Sequence, residues 1–173
     1  LPEPNRSAAP EVAPDDEAAL RAALLRESNL SRGFSLNQIR QIERVRYLAP
    51  AAQVESITFE TGSSAISPSE AQELLALGQL MSDLIAENPN EVFLIEGHTD
   101  AVGSAVSNLT LSDRRAESVA LALSEYFGVS PANMVLQGYG ESDLRVPTEA
   151  AERENRRVVV RRITDLLRTS REG

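Results

Sequence analysis

Two side chains of opposite charge, Asp100 and Arg115, stand fifteen residues apart in a stretch that reads as strand, loop and helix. The segment IEGHTD (95–100) ends a continuously apolar run and enters the Gly- and Ser-containing loop AVGSAVSN. Asp100 therefore falls near the C-terminal end of a strand, where rigid sheets display ligand-binding groups on loops. Arg115 lies a turn into the helix that this loop feeds, so the two charges can converge on one crevice. One reading is an internal ion pair that fixes loop to helix, a common structural device. The sharper reading is a site for a zwitterion. An α-amino acid group offers an ammonium for Asp100 and a carboxylate for the bidentate fork of Arg115. Helix amides near Leu111 and Ser112 would add anion contacts. Spacing alone leaves both readings open.

The elements that must position these residues follow from pattern. Val54–Phe59 alternates as a short strand. Ser67 and Glu70 form a capping box around Pro68, and the helix that follows turns Ala71, Leu74, Leu75, Leu77, Met81, Leu84 and Ile85 inward until Asn88 and Pro89 stop it. Glu91–Gly97 is too continuously apolar for a strand with one wet face and belongs mid-sheet. Thr110 and Asp113 form a second capping box, opening a helix that buries Leu111, Val119, Leu123 and Tyr126 and ends at Gly128. Met134–Tyr139 is a third strand, Thr148–Glu154 a short helix and Arg156–Ile163 a fourth strand. The expected fold class is α+β: a β-α-β-α-β-(α)-β sandwich with a mixed four-stranded sheet and two main helices on one face. Gly97, Gly103, Gly138 and Gly140 read as backbone turns, and His98 as a loop-fixing hydrogen bonder.

A helical N-terminal extension precedes this unit. Residues 1–19 hold four of the nine prolines among small and acidic residues, a linker composition. Residues 17–30 and 35–48 read as helices, although the three-residue spacing of Ile39, Ile42, Val45 and Leu48 leaves a strand open for the second. Residues 1–52 carry seven acids and seven arginines, so the whole net charge of −9 sits on residues 53–173, a break that places a boundary near Pro50. The expected organisation is a linker over 1–19, a helical extension over 20–52, the α+β domain over 53–165 and a basic tail over 166–173.

Composition excludes much else. The chain of 173 residues has no Cys, no Lys and one His, which removes disulfides, thiolate nucleophiles, Cys-based metal sites, Schiff bases and a P-loop lysine. A net charge of −9 argues against nucleic acid as a partner. The apolar runs are far shorter than the roughly 18–20 residues of a membrane span, so the chain as given reads as soluble. Leu1 in place of Met points to a processed or cut chain whose anchor lies outside it.

Residues 108–123, NLTLSDRRAESVALAL, fit the pattern Asn-x2-Leu-Ser-x2-Arg-Ala-x2-Val-x3-Leu. TFETGSSAIS and GHTDAVGS precede it, and LQGYGES and ENRRVVV follow. In order and spacing these motifs resemble the OmpA-like peptidoglycan-binding domain, the family of the OmpA, Pal and MotB C-terminal domains, over about residues 54–163. The resemblance implies a domain that binds peptidoglycan without breaking it, through the meso-diaminopimelate of the stem peptide. It places the ammonium on Asp100 and the carboxylate on Arg115. By the same resemblance Asn108 orders the loop or meets the stem peptide, Thr99 flanks Asp100, and Arg157 lines the crevice as a partner of Asp100. It implies no catalytic residue, metal or cofactor, and a periplasmic location attached to the outer membrane or envelope. Two alternatives stand beside it. One is a wall hydrolase pairing Asp100 with Glu96 or Glu141; the other is a module that dimerises or assembles through residues 17–48.

Overall fold

The computed structural model describes residues 11–12, 17–26, 33–54 and 57–167. In chain order the elements are β1 (Glu11–Val12), α1 (Glu17–Leu24), α2 (Leu36–Gln41), α3 (Glu43–Arg46), β2 (Ala51–Gln53), α4 (Pro68–Gln72), α5 (Leu75–Glu87), β3 (Phe93–Gly97), α6 (Ala105–Phe127), β4 (Met134–Gly138) and β5 (Val158–Arg162). The sheet order is β1-β2-β5-β3-β4. β5 runs antiparallel to both β2 and β3, whereas β4 is parallel to β3. The expected mixed four-stranded sheet is thus present, with the two-residue β1 added in parallel at the β2 edge.

Both faces of the sheet are covered. On one, α1, α5 and α6 pack Leu20, Leu24, Leu77, Met81, Val119 and Leu123 onto Phe93, Ile95, Val158 and Val160. On the other, Ile39 and Val45 of α2 and α3 join Phe34, Leu94, Ile163 and Leu166. All five residues of β3 are buried, the charged Glu96 included, as expected of a strand covered on both faces. The N-terminal helices therefore belong to the packing of both layers. Residues 27–30 of the first expected helix and most of the expected linker and tail lie outside the described residues.

Four local expectations change. The strand expected at Val54–Phe59 forms instead at Ala51–Gln53; Val54 N donates to Val158 O and Phe59 N to Arg156 O, while residues 55–56 lie outside the described residues. Val54, Ile57 and Phe59 are buried in the main core. The helix from Pro68 is capped as expected, Ser67 Oγ accepting from Glu70 N at 3.2 Å. It then breaks into α4 and α5 at a tightened turn where Glu73 and Leu74 donate three residues back. That rotation turns Leu75 out, 54% exposed. α6 begins at Ala105, not Thr110: Ser104 caps it by accepting from Ser107 N, and Thr110 and Asp113 lie inside the helix. Tyr126 is 46% exposed on its outer face. Finally, Thr148–Glu154 forms bends and a 3₁₀ turn at Arg153–Asn155 instead of a helix, locked by reciprocal bonds between Asn155 and the backbone of Val146.

Gly97 and Gly138 are not turns but points of closest approach between sheet and helix. A Cβ on Gly97 would stand 1.8 Å from the carbonyl oxygen of Ser112, and one on Gly138 would stand 2.4 Å from Asp113 N. Only glycine lets the C-terminal ends of β3 and β4 press onto α6 where the crevice opens.

Candidate functional site

The chain leaves β3 through His98, Thr99 and Asp100, all buried. Backbone bonds hold this exit to its neighbours: His98 N donates to Arg157 O at 2.9 Å, and Thr99 N to Gly140 O at 2.9 Å. A short loop then turns through Gly103, at φ +93°, into α6. Asn108, on the second turn of α6, closes the loop by donating from Nδ2 to Val102 O at 3.0 Å and to Asp100 O at 3.4 Å. Its Nδ2 also reaches Glu141 Oε1 at 2.8 Å. Asn108 is thus the loop-ordering residue, tying the Asp100 turn to the segment after β4.

Asp100 and Arg115 both lie buried beside the exit of β3 but form no ion pair with each other. The Asp100 carboxylate accepts from Val102 N through Oδ1 at 3.1 Å and from Arg156 Nη1 through Oδ2 at 3.1 Å. Arg115, fully buried, donates to three backbone carbonyls: Nε to Ser63 O at 2.8 Å, Nη1 to His98 O at 3.0 Å and Nη2 to Glu60 O at 3.0 Å. Its guanidinium carbon stands 5.0 Å from the centre of the Phe59 ring. Burial pushes its pKa down to about 10; Asp100 opposes that shift and Arg156 adds to it. The side chain stays cationic at neutral pH. A guanidinium has five N–H donors, so one remains on each terminal nitrogen. Two of its partners, Glu60 O and Ser63 O, sit on a turn closed by Ser63 N donating to Glu60 O at 3.0 Å, with Gly62 at φ +74°.

The position expected for Arg157 is held by Arg156. Arg156 reaches Asp100 and braces itself by donating from Nε to Phe59 O at 2.7 Å. Arg157 points elsewhere, donating to Gln53 Oε1 at 3.0 Å and to Asp143 O at 3.2 Å. Arg156 sits in the bend after the 3₁₀ turn and Arg157 on the approach to β5, and the two side chains take different partners. The string signals a cation here; which arginine it is depends on where β5 begins. Amides near Leu111 and Ser112 are helix-interior and serve no anion, since α6 starts at Ala105. Ser112 contributes otherwise, its hydroxyl accepting from Gly140 N at 2.8 Å. The carbonyls of Glu60 and Ser63, the main partners of Arg115, carry no side-chain signature that sequence reading could detect.

Behind Asp100, facing α2 and α3, lies a buried polar cluster. Glu96 accepts from Arg161, lies 3.1 Å from His98 Nε2 and 3.6 Å from Arg46 Nε. Asp143 accepts from Tyr47 and from Arg46 Nη2 at 3.4 Å. Burial would raise the pKa of Glu96, but Arg161, His98 and Arg46 together hold it down to about 2. Burial and the charge of Arg157 depress the pKa of His98, which stacks on Tyr139 at 5.7 Å. Ligand-type atoms of Glu96, His98 and Asp143 lie within 4.8 Å of one another. Both carboxylates already face guanidinium groups, however, and a divalent cation would sit beside fixed positive charge. Glu96 is sealed in this cluster, and Glu141 accepts from Asn108.

Comparison with known proteins agrees with this architecture. Residues 58–157 match the model of the OmpA family. The chain is 34% identical over 116 residues to outer membrane porin F of Pseudomonas fluorescens, covering 64% of this chain and 34% of that protein. It is 39% identical over 121 residues to the peptidoglycan-associated lipoprotein of Pseudomonas putida, covering 66% of this chain and 69% of the relative. The chain thus spans about a third of the porin's length. Among solved structures, the peptidoglycan-associated lipoprotein from Burkholderia pseudomallei aligns over 61% of this chain and 86% of its own, with 29% identity and a TM-score of 0.51. The matched span holds Asp100, Asn108, Arg115 and Arg156 together with β3, α6 and β4 that position them, and on that ground the chain belongs to the OmpA family.

Proposed function

We propose that this domain binds peptidoglycan without cleaving it and tethers the outer membrane, or an envelope complex, to the wall from the periplasmic side. Two relatives named for peptidoglycan association support the coarse reading. The finer reading is that the crevice grips the free amino acid end of diaminopimelate in the stem peptide. The observation that supports it is the separate anchoring of two opposite charges beside the exit of β3: Asp100 by Val102 N and Arg156, Arg115 by three carbonyls. A direct Asp100–Arg115 pair would have consumed both. As built, the ammonium displaces or shares Arg156 at Asp100, and the carboxylate takes the end-on N–H pair of Arg115 once the Glu60–Ser63 turn lifts. Charge-assisted bonds are worth about 1.5–3 kcal/mol each, and lifting the turn opposes them. Each site therefore binds modestly, and many copies on a repeating wall hold by avidity.

The complete burial of Arg115 favours a second reading. Here Arg115 only fixes the loops, and the less buried Arg156 turns from Asp100 to meet the carboxylate. One experiment separates the two. Stem peptide with a free diaminopimelate carboxylate and its amidated counterpart are titrated against the parent and Arg156→Ala. The first reading expects amidation to weaken binding in both proteins; the second expects the free carboxylate to lose its advantage in Arg156→Ala. Equal affinity of the parent for both peptides overturns the carboxylate grip altogether. Assembly through residues 17–48 has less to work with, because Leu20, Leu24, Ile39 and Val45 are already buried against their own sheet.

A further inference from the structure

A groove of about 730 Å³ runs between the N-terminal helices, the start of α6 and the segment after β4. Its volume is that of a ligand site, and part of one wall, residues 40–46, lies outside the span shared with the family. We propose that this groove holds the N-acetylated sugars of the glycan strand, while the neighbouring crevice holds the stem peptide; the inference rests on the peptidoglycan reading above.

Three observations point to that chemistry. The groove adjoins the Asp100 loop: Asn108 bonds Asp100 O and Val102 O of that loop and also Glu141, a lining residue. A polymer branching from sugar to peptide meets both surfaces. Second, the charges along the groove balance, Arg40 and Arg46 against Glu43 and Glu141, in a chain whose net charge is −9. Such a lining favours neither a polyanion nor a polycation and suits a neutral polyhydroxylated ligand. Third, the exposed lining offers the amide of Gln41 and, as an acceptor, the hydroxyl of Ser142, whose proton goes to Tyr139 O at 2.6 Å. Opposite them are the apolar side chains of Ala105 and of Leu109, which fit acetamido methyl groups. Tyr139 supplies no stacking platform. Its ring is flanked by Arg46, with the guanidinium carbon 3.7 Å from the centre, and by His98. Recognition therefore falls on hydrogen bonds at the rim, each adding little.

The test uses the full chain and two probes: the N-acetylglucosaminyl-N-acetylmuramyl tetrapeptide containing diaminopimelate, and the same tetrapeptide without its disaccharide. The disaccharide form should bind about three- to tenfold tighter, the increment expected from one or two exposed hydrogen bonds. Amide signals of Gln41, Leu109 and Ser142 should shift with the disaccharide form and stay in place with the bare peptide. The double variant Gln41→Ala/Ser142→Ala, and separately Ala105→Arg to fill the groove, should lose the increment and keep the affinity for bare peptide. Equal affinity of the parent for the two probes overturns the groove assignment while leaving the diaminopimelate reading standing. So does an equal loss for both probes in the variants. Failure of both probes to bind overturns the diaminopimelate reading and this inference with it.

Discussion

Arg156 Nη1 lies 3.1 Å from Asp100 Oδ2, so the carboxylate proposed to receive an ammonium already has a cation beside it. The incoming group must compete with a tethered guanidinium that is itself braced at Phe59 O. Asp100→Asn keeps the shape and the bond from Val102 N while removing the charge. It should weaken cosedimentation with purified sacculi at least about tenfold, the worth of one charge-assisted bond. Arg156→Ala, on the reading in which Arg115 takes the carboxylate, should leave pelleting within a few-fold of the parent. Pelleting of Asp100→Asn at the parent level would remove Asp100 from the site.

Arg115 is as much a structural residue as a binding one. Arg115→Ala leaves the carbonyls of Glu60, Ser63 and His98 without their buried donor and opens a cavity over Phe59. Orphaned buried acceptors cost about 1–3 kcal/mol each, and the set should lower unfolding stability by roughly 3–5 kcal/mol. Urea denaturation at pH 7 measures it. A midpoint equal to the parent's would mean that the carbonyls find other donors. Loss of wall binding in this variant is therefore ambiguous by itself, which is why the amidated peptide is the sharper probe of the guanidinium.

Stability should fall as pH drops, in two stages with the same sign. The folded His98 has a depressed pKa, so below about 6.5 the unfolded chain binds a proton that the folded chain resists. Glu96, held down to about 2 against an ordinary 4.5, stabilises the fold above about pH 4.5 and loses that contribution as pH falls toward 2. Its share is on the order of 3 kcal/mol. Unfolding free energies between pH 7 and 3 should decline throughout. His98→Gln should flatten the upper part of the curve and Glu96→Gln the lower. A parent curve flat from pH 7 to 5 would contradict the buried neutral imidazole.

How far the sequence disclosed this arrangement depended on how local each signal was. The Ser67–Glu70 box and the left-handed Gly128 cap are decided within a few residues, and both are found where they were expected. The start of α6 was hidden because Ser104 caps it without an acidic residue three positions on, while Thr110 and Asp113 offered a better-looking box inside the helix. Asp113 looks like a cap because it is an acceptor, but it serves Gly138 N across the sheet instead, at 2.7 Å. Asn108 bonds the backbone of Asp100, and Arg115 bonds the carbonyl of His98 two residues earlier. The motif pointed to Arg157 where the structure has Arg156 on Asp100, because that choice rests on where the chain enters β5. Nor did sequence reveal that Arg46 and Tyr47 dock into a buried cluster, because their partners Glu96 and Asp143 lie 50 and 96 residues away.

That docking sets the last prediction. The charge break near Pro50 suggests that residues 53–165 stand alone, with the preceding helices appended. The structure shows Ile39 and Val45 covering Leu94, Ile163 and Leu166, and Leu20 and Leu24 in the main core. Arg46 is the cation between Glu96 and Asp143. Removing residues 1–50 would expose the second face of the sheet and leave two buried carboxylates with one guanidinium fewer. Each loss alone costs several kcal/mol. The truncated chain should therefore melt at least about 10 °C below the full chain, or aggregate through the exposed face of β3 and β5. Arg46→Met keeps the packing and removes the charge, so it should reproduce only the electrostatic part of the loss. A truncated chain that melts with the parent would show that the N-terminal helices rest on the sheet without stabilising it, and would restore the boundary at residue 53.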